Sequence, residues 1–277
     1  MSATTTAQSS RRCARIGQGM TDRDDSPVPG TLAGRTALVT GGAHRIGRAV
    51  CLALASAGAA VVVHYRRSRS AAGSLVDEIA RRGGRASSVC GDLESPQEVD
   101  DLIARAKEAS ARIDILVNNA SIFGAEDLGA VSLQGFLRNV TVNAWAPFAL
   151  TRAFARQAEQ GAVVNLLDTR IAGLDLAHPS YILSKQLLVA ITRMAAAAFA
   201  PAITVNAVAP GLILPPEGKD ESYLSRLARG VPLERHGSPE DVARAVLFLV
   251  ESAFVTGQVI FVDGGQHLLP EATGAAS

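Results

Sequence analysis

Short apolar runs alternate with longer stretches of helical periodicity from Arg35 onwards. Residues 36–40 and 60–65 are the first two runs, and together they have the length and valine content typical of strands buried in a parallel sheet. Residues 46–57 lie between them with the spacing of an amphipathic helix, and Gly58 follows as a predicted C-cap. These segments predict a strand–helix–strand unit.

The same alternation continues to residue 262. The further predicted strands are residues 87–91, 113–118, 161–167, 203–208 and 258–262. The further predicted helices are residues 96–110, with Ser95 as N-cap and Pro96 at N1, and residues 133–158, 180–200 and 239–250. Strands and helices that alternate in this way build a parallel sheet with helices on both faces. We therefore predict an α/β fold, a single doubly wound Rossmann domain with a mostly seven-stranded sheet.

The two ends of the chain differ from this body. Residues 1–30 are rich in Ser, Thr, Gln and Gly without a hydrophobic period, and they predict a tail before a domain at residues 31–270. The first twenty residues contain three arginines and no acidic residue, a composition similar to that of a transit peptide. A solvated tail and an overextended start, with Met20 as the first residue, are the alternatives. Residues 271–277 are predicted to be a C-terminal tail.

Composition limits the partners of the chain. Lys and Arg total 27 and Asp and Glu total 26, so the net charge of +1 predicts no general attraction to nucleic acid or to an anionic membrane. Cys13, Cys51 and Cys90 are too widely spaced for a metal cluster or a disulfide framework, which favours a reducing compartment such as the cytoplasm and no metal site. Residues 194–216 carry no charge, but their prolines indicate a helix end, a strand and a loop rather than a membrane span.

A glycine-rich turn follows the first strand. Residues 40–47 read TGGAHRIG and open the first helix. Glycines permit a tight turn and a close approach of backbone to a pyrophosphate, and the helix N-terminus offers free N–H groups. In this position the turn predicts dinucleotide binding, although a purely structural turn is the alternative. Its candidate cofactor contacts are Gly41, Arg45, Ile46 and Gly47.

The end of the second strand indicates which dinucleotide binds. An NAD-specific fold has a carboxylate there for the ribose hydroxyls, but the next acidic residue in this chain is Asp77. Guanidinium groups instead suit a 2′-phosphate, with Arg45 as a further positive charge, so we predict NADPH. A solvated basic loop is the alternative. The candidate contacts are Tyr65, Arg66, Arg67 and Ser68, together with Asp92 and Leu93 near the adenine, where Asp92 is equally suited to cap a helix.

Tyr181 and Lys185 predict the chemistry. The chain has three tyrosines and three lysines, and these two lie four residues apart in a predicted helix, hence on one face. An ammonium near a phenol favours the phenolate, so we expect Lys185 to lower the pKa of Tyr181 from about 10. Such a group serves proton transfer during hydride transfer to a polar double bond. A surface tyrosine beside an unrelated lysine is the alternative.

Several motifs in this order resemble the short-chain dehydrogenase/reductase family over nearly all of residues 34–270. They are residues 40–47, Asn118-Asn119-Ala120, Asn143, Tyr181-x-x-x-Lys185, Pro210-Gly211 and Asp263-Gly264-Gly265. The resemblance implies that Lys185 binds the nicotinamide ribose, that Tyr181 transfers the proton and that Asn143 supports a proton-relay water. It also implies cofactor contacts at Asn119, Ala120, Ser121, Pro210 and Gly211.

Two departures from the family pattern narrow the resemblance. Arg45 replaces a usual glycine, and Asp168 replaces the usual serine at the end of the fifth strand. A carboxylate is a poor partner for a ketone oxygen but suits a substrate with N–H groups. Both departures resemble the pteridine reductases and the bacterial dihydromonapterin reductases, in which the arginine contacts the cofactor phosphate and the aspartate acts beside the tyrosine. The implied substrate contacts are Ser121, Phe123, Asp168, Tyr181, Gly211 and Leu212, with Phe123 stacked on the pterin.

The expected function is therefore NADPH-dependent reduction of a dihydropteridine to its tetrahydro form. A short-chain reductase of a carbonyl substrate, such as a 3-oxoacyl thioester, is the alternative, and a non-catalytic nucleotide sensor is a third hypothesis. Residues 211–232, with a short helical stretch at 221–228, predict a substrate lid. Alanine-rich faces on the two longest predicted helices permit close helix packing, and the family resemblance implies that they build a homotetramer, although a stripe facing the core would look the same.

Overall fold

A computed structural model describes residues 30–216 and 218–269. Seven parallel strands form one sheet in the order β3-β2-β1-β4-β5-β6-β7. The strands are β1 (Thr36–Val39), β2 (Ala60–Tyr65), β3 (Arg85–Cys90), β4 (Ile115–Asn118), β5 (Gly161–Leu166), β6 (Ile203–Pro210) and β7 (Val259–Val262). The order reverses between β1 and β4, which places a crevice at the carboxyl ends of these strands. The predicted fold class is confirmed, while both predicted tails lie outside the described residues apart from Gly30.

Helices cover both faces of the sheet. They are α1 (Arg45–Ser56), α2 (Arg69–Arg81), α3 (Pro96–Ser110), α4 (Leu133–Val140), α5 (Ala146–Gln157), α6 (Pro179–Phe199), α7 (Glu221–Ala228) and α8 (Pro239–Glu251). One core forms where α1, α2 and α8 pack on the sheet, and a second forms under α3, α5 and α6. Ser95 caps α3 by accepting from the Glu98 backbone N–H, with Pro96 at N1, which confirms that prediction.

Two helix predictions need correction. Helix α2 was not anticipated, because its buried face consists of the small Ala72 with Leu75 and Ile79, and the segment also contains Gly73. The single helix predicted at 133–158 is instead α4, a π-helical turn at Thr141–Trp145, and α5. Pro147, in the first turn of α5, has no N–H to donate to the carbonyl four residues earlier, so the chain cannot continue there as a regular α-helix.

The uncharged segment 194–216 contains the end of α6, strand β6 and a loop, as predicted. Among the described residues, α6 alone is long and apolar enough to cross a membrane by length and composition. Its Lys185 and Thr192 side chains are nevertheless buried and hydrogen-bonded to β5 residues. Helix α6 is therefore a core helix of this fold.

Candidate active site

The glycine turn between β1 and α1 leaves backbone exposed to a ligand. Gly41 has a φ of +61°, and a Cβ atom there would lie 3.0 Å from the Ala120 Cα atom. A Cβ atom on Gly47 would lie 2.6 Å from Asn119 Nδ2, so no side chain fits at either position. Helix α1 has no side-chain N-cap bond, and its first N–H groups stay available to an anion. Arg45 has a φ of +51°, in agreement with a position where the resembled family has glycine.

Thr40 and Asn119 fasten this turn to the end of β4. The Asn119 amide donates to the carbonyls of Thr40 and Gly41 at 2.9 and 3.1 Å. The Thr40 hydroxyl oxygen accepts from the backbone N–H groups of Asn119 and Ala120 at 2.9 and 3.0 Å. The structure thus brings together three residues predicted to contact the cofactor, namely Gly41, Asn119 and Ala120.

His64 also fixes the turn, and the sequence analysis missed this role. Its Nδ1 atom accepts from the Gly41 backbone N–H at 3.1 Å, while Nε2 lies 3.0 Å from the Gly91 carbonyl oxygen and donates to it. Burial lowers the pKa of His64 to about 4, so the imidazole is neutral, with its proton on Nε2. It therefore links β2 to the residues that follow β1 and β3. A histidine inside an apolar run gave no signal for this contact.

The two arginines in the loop after β2 have different surroundings. The Arg66 guanidinium pairs with Glu94 at 2.7 Å and with Asp92 at 3.4 Å. Both acidic residues follow the end of β3. Arg67 is exposed, and its guanidinium has no hydrogen bond or ion pair with any residue in 30–216 or 218–269. Ser68 is the N-cap residue of α2, and its hydroxyl makes no capping bond.

The remaining predicted cofactor residues lie around the same crevice. Arg45 donates to the Pro215 carbonyl at 3.0 Å, which links the glycine turn to the loop after β6. Pro210 ends β6, and the next residue, Gly211, is so close to β7 that a Cβ atom would lie 2.5 Å from Asp263 Cβ. Leu93 is buried, and Ile46 and Leu212 are half-buried.

Asp168, Tyr181 and Lys185 meet where β5 ends against α6. The Tyr181 hydroxyl donates to Asp168 Oδ2 at 3.0 Å, and Asp168 Oδ1 accepts from the Arg170 backbone N–H at 2.9 Å. Lys185 Nζ donates to the Leu166 carbonyl at 2.7 Å and lies 5.6 Å from the centre of the Tyr181 ring. Three of the four predicted catalytic side chains therefore share one site.

The electrostatics of Tyr181 differ from the prediction. Burial raises the pKa of Tyr181 well above 10, and the Asp168 carboxylate raises it further. Burial also lowers the pKa of Lys185 to about 8, against the opposing attraction of Asp168. The expectation that Lys185 lowers the Tyr181 pKa is wrong in this structure, because burial and an adjacent carboxylate outweigh an ammonium directed at a carbonyl. Tyr181 is consequently protonated near neutral pH and suited to donate a proton.

Asn143 lies in the π-helical turn, fully buried. Its side-chain oxygen accepts from the Ser121 hydroxyl at 3.0 Å and from the Ile122 backbone N–H at 2.9 Å. Its amide donates to the Ile122 carbonyl and to the Ser184 hydroxyl, each at 3.0 Å. Asn143 therefore holds the loop after β4 against α6. Its contact on α6, Ser184, is the residue before Lys185. The support of a proton-relay water by Asn143 stays a prediction.

Phe123 forms one wall of the site. Its ring is 53% exposed, stacks on His178 with centroids 4.3 Å apart, and lies perpendicular to the Tyr181 ring with centroids 4.8 Å apart. The Arg170 guanidinium lies 5.2 Å from the Phe123 centroid, and Asp175 accepts from Arg170 at 3.0 Å and from His178 at 2.8 Å. Sequence reasoning missed Arg170, Asp175 and His178 around Phe123, because the segment between β5 and α6 has no periodicity.

The fold and this site define an oxidoreductase that uses a dinucleotide. A family model described as "Enoyl-(Acyl carrier protein) reductase" matches residues 41–267. The chain is 35% identical to a 3-oxoacyl-[acyl-carrier-protein] reductase of Synechocystis sp. over 244 residues, 84% of this chain and 97% of that protein.

The chain is also similar to solved structures that contain a bound NADP or NADPH. FolM alternative dihydrofolate reductase 1 from Brucella canis, complexed with NADP, is 37% identical with a TM-score of 0.83, over 89% of this chain and 99% of that chain. A blue fluorescent protein from a metagenomic library, in complex with NADPH, is 32% identical with a TM-score of 0.79, over 85% and 99% of the two chains. The chain belongs to the short-chain dehydrogenase/reductase family, and NADPH is its cofactor.

The buried state of His64 predicts acid sensitivity. Its pKa is about 4 in the folded protein and about 6.5 in an unfolded chain. Between these values the unfolded chain binds a proton that the folded protein does not, so this contribution to stability is complete above about pH 6.5 and declines as the pH falls towards 4. At about 1.4 kcal/mol per pH unit, we expect the free energy of unfolding to lose about 3 kcal/mol, measured by denaturant unfolding at a series of pH values.

His64→Gln removes this titration and should flatten the pH dependence between about 6.5 and 4. His236→Gln is the control, because that imidazole is 29% exposed and contacts Glu221 of α7 instead of the glycine turn. Identical pH profiles for wild type and His64→Gln would contradict the role given to His64.

The protonated Tyr181 predicts a defect confined to the chemical step. Tyr181→Phe keeps the ring against Phe123 and removes the hydroxyl that donates to Asp168. We expect kcat to fall by about 10²–10⁴, the usual contribution of a positioned acid, while the Kd of NADPH is nearly unchanged. Steady-state kinetics together with a fluorescence titration of NADPH measure the two quantities. Full turnover by the variant would remove Tyr181 from the mechanism.

Proposed function

We propose that this enzyme reduces a dihydropteridine, of the dihydromonapterin, dihydrobiopterin or dihydrofolate type, to the tetrahydro form. The observation that carries the proposal is the Asp168 carboxylate hydrogen-bonded to the Tyr181 hydroxyl at the carboxyl end of β5. A carboxylate accepts hydrogen bonds, whereas the oxygen of a ketone or a thioester-linked ketone needs donors. A pterin presents an aminopyrimidine edge with N–H donors, which matches Asp168.

Asp168 retains the capacity for such a substrate. Each of its two oxygens accepts one hydrogen bond from the protein, and a carboxylate offers about four acceptor positions. Its side chain is 20% exposed, and Arg170 Nε, 3.9 Å from Asp168 Oδ1, belongs to the guanidinium that lies beside Phe123. Two N–H groups of one planar ring system can therefore reach a carboxylate that α6 and the segment after β5 already hold in place.

The proton and the hydride reach different atoms of the reduced C=N bond. Bound NADPH supplies the hydride to carbon. Tyr181 donates its proton towards the nitrogen, since its raised pKa keeps the hydroxyl protonated near neutral pH. Asp168 orients that hydroxyl and compensates the N–H groups of the substrate, while Lys185, with a pKa of about 8, supplies positive charge beside the ring.

Phe123 supports a flat aromatic substrate. His178 stacks on its ring and the Arg170 guanidinium lies 5.2 Å from its centroid, and we propose that the exposed part of this held ring contacts the substrate ring. Ser121, Gly211 and Leu212 are the other proposed substrate contacts, and the loop that begins at Gly211 is the proposed lid. That loop carries α7, as expected from the sequence.

The residues proposed to hold NADPH line the crevice from the glycine turn to Lys185. The Cβ-free positions in the turn fit a pyrophosphate, and exposed Arg67 with the unbonded Ser68 hydroxyl fits a 2′-phosphate. The full proposed set is Gly41, Arg45, Ile46, Gly47, Tyr65, Arg66, Arg67, Ser68, Asp92, Leu93, Asn119, Ala120, Ser121, Lys185, Pro210 and Gly211.

The comparisons support two substrate classes. The structural likeness to a dihydrofolate reductase of the FolM type favours the pteridine. The identity to a 3-oxoacyl-[acyl-carrier-protein] reductase favours a carbonyl substrate, which is the second candidate. We prefer the pteridine because Asp168 stands where a carbonyl reductase needs a donor.

A cytoplasmic homotetramer is the proposed state of the enzyme. Exposed apolar side chains lie on two separate surfaces, one on α4 and α6 and the other around α8. The first surface contains Leu133, Leu137, Leu183, Leu187 and Met194, and the second contains Phe248 and Phe254. Two distinct self-complementary contacts generate a tetramer of D₂ symmetry.

The tetramer predicts a mass in solution of about four times the 28.8 kDa chain, measured by light scattering during size-exclusion chromatography. Phe254→Asp places a charge on the second surface alone, so we expect a particle of half that mass. A monomeric wild type would contradict the proposal.

Asp168 predicts which substrate class is lost by mutation. Asp168→Ser introduces the residue of the general family pattern and removes the carboxylate. We expect kcat/KM for a dihydropteridine to fall by at least about 10², because a group that binds and positions the proton donor is lost. Activity on acetoacetyl thioester should hold or rise, because a hydroxyl can donate to its ketone oxygen.

Asp168→Asn is the matched variant, since it keeps the shape and removes the charge. It should lose pteridine reduction as well, because the amide retains one acceptor and adds a donor. Undiminished pteridine reduction by both variants, or a wild type that prefers the thioester, would leave a carbonyl reductase as the function.

A further inference from the structure

Two acidic residues stand close to an arginine that the sequence assigns to the 2′-phosphate. Sequence order places no acid between Arg66 and Asp77, yet β3 brings Asp92 and Glu94 to this end of the crevice. We propose that Glu94 is a specificity-determining residue that restrains Arg66 and thereby limits the preference of the enzyme for NADPH over NADH.

The contact geometry fixes the direction of Arg66. Its Nη1 atom donates to Glu94 Oε1 at 2.7 Å and to Asp92 Oδ1 at 3.4 Å, so one edge of the guanidinium is turned towards the end of β3. The Glu94 backbone N–H donates to Asp92 Oδ1 at 3.0 Å, which holds the two acids together. Arg138, from α4, also donates to Glu94 Oε1 at 2.7 Å. Glu94 Oε1 thus accepts a hydrogen bond from each of two arginines.

The charges of this cluster cancel. Arg66 and Arg138 contribute two positive charges, while Asp92 and Glu94 contribute two negative charges. The hydrogen bond from Arg138, joined by that from Arg66, lowers the pKa of Glu94 to about 2, so its carboxylate is ionised at all physiological pH values. Arg67 is the arginine of this loop whose charge no described residue matches.

Glu94 therefore acts against a 2′-phosphate in two ways. It occupies a donor of Arg66 that would otherwise be free for the phosphate, and it adds a negative charge near a group that carries up to two. Neither effect applies to NADH, which has a ribose hydroxyl at that position. A carboxylate from β3 consequently performs part of the role that a carboxylate after β2 has in NAD-specific folds.

The opposite hypothesis is that Glu94 aims Arg66 at the phosphate. The two hypotheses predict opposite signs when Glu94 is neutralised. Restraint predicts a larger ratio of the Kd for NADH to the Kd for NADPH, whereas aiming predicts a smaller ratio. Both Kd values can be measured on the full chain by fluorescence titration without a substrate, so the result does not depend on the pteridine proposal.

Glu94→Gln should raise the Kd ratio by about tenfold, the scale of one charge-assisted hydrogen bond near a surface. Glu98→Gln is the control, because it removes the same charge from the same segment, while its carboxylate accepts from the Asp92 backbone N–H instead of contacting Arg66. We expect that control to change the ratio by less than about twofold. The midpoint of thermal unfolding verifies that each variant is folded.

Arginine variants show whether the effect passes through Arg66. Glu94→Gln made in an Arg66→Ala background should raise the ratio much less than in the wild type. Arg67→Ala should lower the ratio by about 10- to 150-fold, and Arg66→Ala should lower it far less.

Three results would overturn the proposal. The first is an unchanged or smaller ratio in folded Glu94→Gln, and the second is a full effect of that change without Arg66. The third is an equal fall of the Kd ratio in Arg66→Ala and in Arg67→Ala. This third result still tests the proposal if Glu94→Gln does not fold.

Discussion

The hydrogen bond from the Tyr181 hydroxyl to the Asp168 carboxylate is the interaction on which the site depends. It joins α6 to Asp168, two residues after the end of β5, and it places the buried Tyr181 hydroxyl beside a partly exposed acceptor. Burial and the carboxylate both raise the pKa of Tyr181, so the pair exists as phenol and carboxylate rather than as phenolate. That protonation state suits reduction of a substrate that has N–H groups of its own.

The rest of the fold positions this pair and the cofactor crevice. The carboxyl ends of β1, β2 and β4 are fastened to one another through side chains of Thr40, His64 and Asn119. On the substrate side, Asn143 connects the loop after β4 to α6, and it does so from a π-helical turn. The Thr40, His64 and Asn143 side chains are buried and Asn119 is half-buried, and each makes hydrogen bonds within the protein that orient the backbone.

Local patterns in the sequence were sufficient for the fold, whereas Asp168 and Asn143 were predicted from the resemblance to the family. The apolar runs gave the strands, and the spacing of Tyr181 and Lys185 on one helix face gave two catalytic candidates. The predicted lowering of the Tyr181 pKa was wrong, because the spacing of two residues on a helix does not show how deeply either is buried. Helix α2 was missed, because alanine weakened its apolar period.

Contacts between distant segments could not be predicted in the same way. The ion pair of Arg66 with Glu94 joins residues 28 positions apart, and it depends on the register between β2 and β3. The stack of Phe123 on His178 joins two loops without periodicity. We propose roles in specificity for both contacts, for cofactor and for substrate respectively, and neither contact follows from local sequence patterns.

The central claim is that the Asp168–Tyr181 pair selects a C=N substrate, and a competition experiment tests it most directly. Equal concentrations of a dihydropteridine and acetoacetyl thioester are mixed with the enzyme and with NADPH that carries deuterium in the transferred position. Mass spectrometry of both products then gives the ratio of the two kcat/KM values. The account predicts that most of the deuterium is found in the tetrahydropteridine. Deuterium found mainly in the hydroxyacyl thioester would contradict it.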